Sequence, residues 1–183
     1  MATDNILKII QEDGTDILCI QEPYALGNTI VGLPQYCNIF ASEGRKRAAI
    51  FINNRQIYTL LINQLSDEYV VVLETKVGNT RIIIASSYYI NLPLDTDMQK
   101  IEATIAHAKG AGVIIAMDSN SKSTSWHDIK TNRRAKILEE FLMSKQLHII
   151  NESCYTTFGA VEVPATSTKQ SPITKHSTLS RIE

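Results

Sequence analysis

Two acidic residues in this chain stand where short, fully apolar runs end. Glu22 follows Ile17–Ile20, and Asp118 follows Val113–Met117. Carboxylates emerging from rigid strands are well placed to hold a hard divalent cation, which takes oxygen ligands at fixed geometry. The alternative is a loop cap, the commoner use of a strand-end acid. Asn120, two residues beyond Asp118, falls on the same side of an extended segment, where an amide orients a phosphate oxygen or satisfies a turn. Tyr88 and Tyr89 close another apolar run. A phenol there donates to a phosphate, or serves as a half-buried sheet aromatic. Arg45-Lys46-Arg47 and Arg133-Arg134 are short basic clusters that contact phosphates or form a solvated face. The four histidines, His107, His127, His148 and His176, have no ligand spacing to one another and read as structural or exposed.

These residues need elements to carry them. Ile6, Leu7, Ile9 and Ile10 make a helical face behind the capping residues Thr3 or Asp4, with Gly14 as a stop. Ile17–Ile20 is a buried strand, and residues 25 to 38, with Gly27, Gly32 and Pro34, read as a loop. Ala48–Ile52 is the next strand. Tyr69–Thr75 and Thr80–Tyr89 flank Gly78-Asn79, a hairpin signal. Met98, Ile101, Ile105 and Ala108 have helical spacing before Gly110 and Gly112. After the Val113–Met117 strand comes a polar loop with the only tryptophan, Trp126. Ile137, Leu138, Phe141 and Leu142 mark an amphipathic helix, and Leu147–Ile150 a further strand. Strands with interspersed helices imply a layered α/β or α+β domain.

The chain has 183 residues, 44% hydrophobic and 20% charged. That is one domain with room for a real core, and it excludes disordered, collagen-like and coiled-coil classes. Lys plus Arg is 18 against 19 for Asp plus Glu, so net charge gives no global steering toward nucleic acid, although a local groove can still be basic. The apolar runs are far too short for a membrane helix, and no secretory signal opens the chain. Cys19, Cys37 and Cys154 are odd in number and without a Cys-x-x-Cys spacing, which argues against zinc ribbons and disulfide scaffolds and for a reducing compartment, nucleus or cytoplasm. Cys19 reads as a buried small hydrophobe. From Pro164 to Glu183, eight of twenty residues are Ser or Thr and apolar periodicity is lost, as in a disordered tail.

Several stretches together carry a resemblance. They are Ile20-Gln21-Glu22-Pro23-Tyr24, Ala85-Ser86-Ser87-Tyr88, Ile115-Ala116-Met117-Asp118-Ser119-Asn120-Ser121 with Trp126, Asn132-Arg133-Arg134 through Leu138-Glu139-Glu140-Phe141-Leu142, and Ile150-Asn151-Glu152 with Thr157-Phe158. In this order they resemble the endonuclease domain of non-LTR (LINE-type) retrotransposon polyproteins, within the endonuclease/exonuclease/phosphatase superfamily and similar to apurinic endonucleases. Motifs in context weigh more than any one alone.

The resemblance implies a four-layered α/β sandwich over residues 1–158, incomplete, followed by a non-homologous tail over 159–183. It implies Mg²⁺ (or Mn²⁺) as cofactor, a monomer acting on DNA, and a covalently linked reverse transcriptase in the parent element. By the same resemblance Glu22 would ligand the metal, Asp118 would orient and deprotonate the attacking water, Asn120 would hold the scissile phosphate and Tyr88 would hydrogen-bond it. The activity implied is a nick that leaves a 3′ hydroxyl to prime reverse transcription. The four residues are expected to converge at one end of two packed sheets.

Three features of the family pattern are not found in this sequence. They are an Asn-bearing first strand, a Ser-x-Ile-Asp segment soon after Thr157-Phe158, and a terminal Ser-Asp-His. Glu162–Glu183 can be back-translated so that a neighbouring frame restores Ser-x-Ile-Asp, which makes a frameshift between Phe158 and Glu162 an expectation. The chain is accordingly expected to be an inactive, poorly folding fragment of an active parent. The alternative is a phosphatase or non-catalytic nucleic-acid-binding module of the same superfamily; the Trp126 loop and Asn132-Arg133-Arg134 favour the retrotransposon branch.

Overall fold

In a computed structural model, residues 10, 12, 14–27, 29–34, 36–89 and 94–150 are described. They fall into two compact units, one ending at Ser119 and one beginning at Asn120.

The first unit is built on two sheets. One has the order β1 (Ile17–Gln21), β5 (Ala48–Ile52), β4 (Asn38–Ala41), all antiparallel. The other has the order β6 (Tyr58–Leu61), β7 (Val70–Val77), β8 (Thr80–Tyr88), β9 (Gly112–Asp118). β6, β7 and β8 are antiparallel, and β8 pairs with β9 in parallel. A parallel pair needs a crossover, and the helix α1 (Leu94–Ala108) supplies it.

Strand alternation assigns each residue to a layer. β5 reads Ala-Ala-Ile-Phe-Ile and is buried throughout. Its Ala48, Ile50 and Ile52 join Cys19 and meet Val71, Leu73, Ile82, Ile84 and Ala116 of the second sheet, forming the core between the sheets. Its Ala49 and Phe51 face the other way with Leu18 and Ile20, where Ile10 covers them. On the far face of the second sheet Val70, Val72, Ile83, Ala85 and Tyr89 pack with Ala108 of α1. The helix buries Asp97, Ile101, Thr104 and Ala108 at three- and four-residue intervals. Asp95 and Asp97 lie in its first turn, where negative charge complements the helix dipole.

The strands expected at Ile17–Ile20, Ala48–Ile52 and Val113–Met117 are present, as is the hairpin closed by Gly78-Asn79. Cys19 is fully buried, and burial pushes its thiol up to about 12. Residues 25 to 38 are not purely a loop: β2 (Ala25–Leu26) and β3 (Thr29–Ile30) form a small hairpin there. The turn residues that suggested a loop, Gly27 among them with φ 59, are what allow so tight a hairpin. β4 and β6 carry no apolar run long enough to announce them, because both are only partly buried.

The second unit contains a single 3₁₀ turn at Thr124–Trp126 and the helix α2 (Arg133–Ser144) among its described residues. Asn132 caps α2, its side chain accepting from the Ala135 N–H at 2.8 Å. Leu147–Ile150 is not a strand. It joins no ladder among the described residues, and Ile150 is 69% exposed. An apolar run becomes a strand only by pairing.

The expected helix before Gly14, apart from Ile10 and Glu12, lies outside the described residues, as do Thr157-Phe158, His176 and the tail over 159–183. Among the described residues no helix is long and apolar enough to cross a membrane.

Candidate functional site

Tyr88 is the last residue of β8 and Asp118 the last of β9, and the parallel register pairs them directly. The Tyr89 N–H continues the ladder by donating to the Asp118 carbonyl at 2.9 Å. Glu22 comes from the other sheet, one residue past the end of β1. Its N–H donates to the Arg47 carbonyl at 2.9 Å, one step beyond the Gln21–Ala48 pair. Glu22 has φ 50, in the left-handed region that side chains rarely occupy. The strand therefore turns sharply at its carboxylate, which is about half exposed.

A buried polar bridge ties the two sheets together just beneath these residues. The Gln21 amide donates to Ser86 Oγ at 3.1 Å and to the Ala116 carbonyl at 3.3 Å. Ser86 Oγ in turn donates to the Ile20 carbonyl at 3.2 Å. Gln21 is 2% exposed and Ser86 fully buried. Satisfied buried polar groups fix a unique arrangement where apolar packing alone tolerates sliding. Gln21 precedes Glu22 by one residue; Ser86 and Ala116 precede Tyr88 and Asp118 by two. The bridge thus sets the relative positions of all three site residues.

Tyr88 shows the proximity electrostatically. Its phenol is pushed up to about 12, first by burial, then by hydrogen bonding to Glu22 and by the charges of Glu22 and Asp118, with Arg47 opposing. The hydroxyl therefore remains a proton donor throughout the neutral and mildly alkaline range. Arg47 closes the cluster: its Nη1 lies 3.2 Å from Glu22 Oε1, and its guanidinium stands over the Tyr88 ring, 5.7 Å from the centroid.

The structure thus gathers Glu22, Tyr88 and Asp118 at one end of the paired sheets. Asn120 is a different case. β9 ends at Asp118 and Asn120 has φ 51, so the strand alternation that aligned it with Asp118 does not reach it. Asn tolerates the left-handed region well, which explains why the chain turns there. It opens the second unit, where the Trp126 indole N–H donates to the Ser121 carbonyl at 3.0 Å. His107, on α1, lies with its Nε2 4.0 Å from Glu74 Oε2, away from this cluster.

The donor set at Glu22 and Asp118 is oxygen only. Among the described residues no group of three or more His, Cys, Asp or Glu gathers to hold a metal. Two carboxylates are too few for a protein-made zinc or calcium cage, and they suit an ion that keeps several waters and completes its shell with substrate oxygens. Arg47 on Glu22 already shows that the carboxylate accepts a cation.

Two contributors were not assigned a role by the sequence. Gln21 and Ser86 sit inside quoted motifs, and the available signal was a polar residue within an otherwise apolar strand. Arg47 was visible only as part of a basic triplet.

A family model described as endonuclease-reverse transcriptase matches residues 82–168. A 115 kDa protein of the type-1 retrotransposable element R1DM of Drosophila melanogaster is 24% identical over 143 residues, which is 73% of this chain and 14% of that protein. The chain therefore spans only a small part of its curated relative. Among solved structures, the endonuclease domain of TRAS1, a telomere-specific non-LTR retrotransposon, matches with a TM-score of 0.75 at 23% identity, over 86% of this chain and 70% of that one. In sequence this chain is similar to the endonuclease–reverse transcriptase family and to a retrotransposon protein, and it has the fold of a non-LTR retrotransposon endonuclease domain.

Proposed function

We propose that this chain is the endonuclease part of a retrotransposon protein, and that it nicks DNA by divalent-cation-dependent phosphodiester hydrolysis to provide a primer for a linked reverse transcriptase. The observation that carries the proposal is the placement of Tyr88 between Glu22 and Asp118, on strands from two sheets pinned together by Gln21 and Ser86. Groups held on rigid elements by a second layer of hydrogen bonds are what positional catalysis requires.

Glu22 would hold the cation, with Mg²⁺ the fitting ion and Mn²⁺ a substitute. When bound, that ion neutralises charge on the phosphate. Asp118 would orient a water and take its proton as the oxygen attacks phosphorus. Tyr88 would donate to a phosphate oxygen. The P–O3′ bond breaks, and the departing oxygen takes a proton from solvent to leave a 3′ hydroxyl. The resemblance also implies a histidine contact from a terminal Ser-Asp-His, and catalytic groups act as a unit, so a protein that carries that motif is expected to nick faster than residues 1–183 alone.

The test is conversion of supercoiled plasmid to the open circle by residues 1–183, with Mg²⁺ or with chelator, beside a longer protein bearing Ser-Asp-His. Nicking that needs the cation and is abolished by Asp118→Ala supports the reading. Nicking that survives both chelation and Asp118→Ala overturns it.

A further inference from the structure

Arg47 is not placed like a solvated surface cation. It ends a tight connection in which the Ser42 N–H donates to the Ala48 carbonyl at 2.8 Å, and the Ala48 N–H donates back to Ser42 Oγ at 3.1 Å. Its carbonyl takes the Glu22 N–H, its Nη1 lies on the Glu22 carboxylate, and its guanidinium covers the Tyr88 ring. The side chain is only 25% exposed, and its Nε is buried without a hydrogen-bond partner among the described residues. A buried donor without an acceptor costs stability, so this placement is not the cheapest one for an arginine.

A guanidinium and a divalent cation compete for the same carboxylate oxygens, and they also repel each other. Both effects weaken a cation's hold on Glu22 while Arg47 stays in place. An arriving phosphodiester changes this balance. It offers acceptors to the guanidinium N–H groups that Glu22 does not use, and its negative charge offsets the repulsion. We infer that Arg47 is a positioning residue that holds Glu22 in the free protein, weakens its hold on a divalent cation, and thereby couples cation binding to the binding of a DNA phosphodiester. The inference rests on Glu22 being the cation-holding residue of the proposed nuclease site. Coupling of this kind is reciprocal: whatever factor DNA adds to cation affinity, the cation adds to DNA affinity.

The test uses the full chain and Mn²⁺, with free ion measured by its electron paramagnetic resonance signal, with and without a nuclease-resistant phosphorothioate DNA duplex. Arg47→Met keeps the stem packing and removes the charge. It is expected to tighten Mn²⁺ binding by the protein alone roughly fivefold, the size of one partly exposed ion pair, and to shrink the enhancement by DNA by a similar factor. Arg47→Lys keeps the charge and should stay within about twofold of the unsubstituted protein. Unchanged or weaker Mn²⁺ binding in Arg47→Met overturns the inference, as does equal tightening in both variants. Glu22→Gln separates the two levels of the argument. If it abolishes Mn²⁺ binding while Arg47→Met changes nothing, only the role of Arg47 fails. If Glu22→Gln leaves binding intact, the cation site itself is wrong, and the inference falls with it.

Discussion

Tyr88 and Asp118 are register partners at the ends of two parallel strands, so a phenol and a carboxylate are presented side by side by backbone hydrogen bonding alone. Glu22 reaches them from the opposite sheet, and burial first, then Glu22 and Asp118, push the phenol up to about 12. In the folded state the protonated phenol is favoured over its unfolded value. The associated stability is fully present below about pH 10 and is lost as pH rises toward about 12. A spectrophotometric titration at 295 nm should therefore show part of the tyrosinate signal delayed, and Tyr88→Phe should remove part of that delay. Tyr89, pushed up by its own burial, keeps the rest of the late signal, so an undiminished late component in the variant would mean that Tyr88 is not held protonated by its surroundings.

The bridge beneath the site gives a second prediction. Gln21→Leu removes the donor to Ser86 and to the Ala116 carbonyl while keeping the volume. Leaving those buried partners unsatisfied should cost about 1–3 kcal/mol, read as a lower urea midpoint with an unchanged slope. Because the bridge also sets Glu22 against Tyr88 and Asp118, nicking should fall by more than the loss of folded protein accounts for. Equal losses in stability and activity would make Gln21 a core residue and nothing more.

Much of this fold was legible because buried strands announce themselves. Ile17–Ile20 and Ala48–Ile52 are apolar on both faces, and sheets covered on both sides require that; Val113–Met117 is equally apolar, yet of it only Ala116 is buried. β6 alternates exposed and half-buried residues over only four positions, and so carries little signal. Glu22 and Asp118 were legible as strand-end acids, and Tyr88 from the ordered motifs. The partnership of Arg47 with Glu22 was not legible. It spans 25 positions and depends on the β1–β5 register, which local pattern does not specify. Asn120 shows the converse limit, since alternation stops where the strand stops.

Packing makes a third prediction through contrast. Ile50 is fully buried between the sheets, whereas Ile129 is 98% exposed. Ile50→Ala should destabilise by about 2–5 kcal/mol, combining lost transfer energy with the cavity left behind. Ile129→Ala should stay within about 0.5 kcal/mol. Denaturant melts of the two variants check both, and a mild effect at Ile50 would contradict a close-packed interface between the sheets.

In the second unit Ser123 is fully buried and its hydroxyl donates to Glu139, which also takes a hydrogen bond from Ser125. Those bonds hold the Glu139 carboxyl below its usual range. A lowered carboxyl contributes stability above its unfolded pKa and loses it as pH falls through the folded one. Ser123→Ala should therefore destabilise by about 1 kcal/mol at neutral pH, with the difference from the unsubstituted protein shrinking in acid. A pH-independent difference would mean that Ser123 acts through packing and not through Glu139.

Glu22 itself carries the last prediction. Its φ of 50 costs a residue with a Cβ about 1–2 kcal/mol, and glycine adopts that conformation freely. Against this, Glu22→Gly gives up the ion pair with Arg47, which at about half exposure is worth no more than about 1 kcal/mol, gives up the hydrogen bond from Tyr88, worth about 1 kcal/mol, and frees extra entropy in the unfolded chain. The terms nearly cancel, so the variant should melt at a urea midpoint close to that of the parent. Cation binding and any cation-dependent nicking should nonetheless disappear, because the carboxylate is gone. Stability held or gained while function is lost marks a residue kept for its chemistry and tolerated by the fold. A clear drop in the urea midpoint would instead make Glu22 a structural residue, holding the turn after β1 through Arg47, and would weaken its claim to the cation.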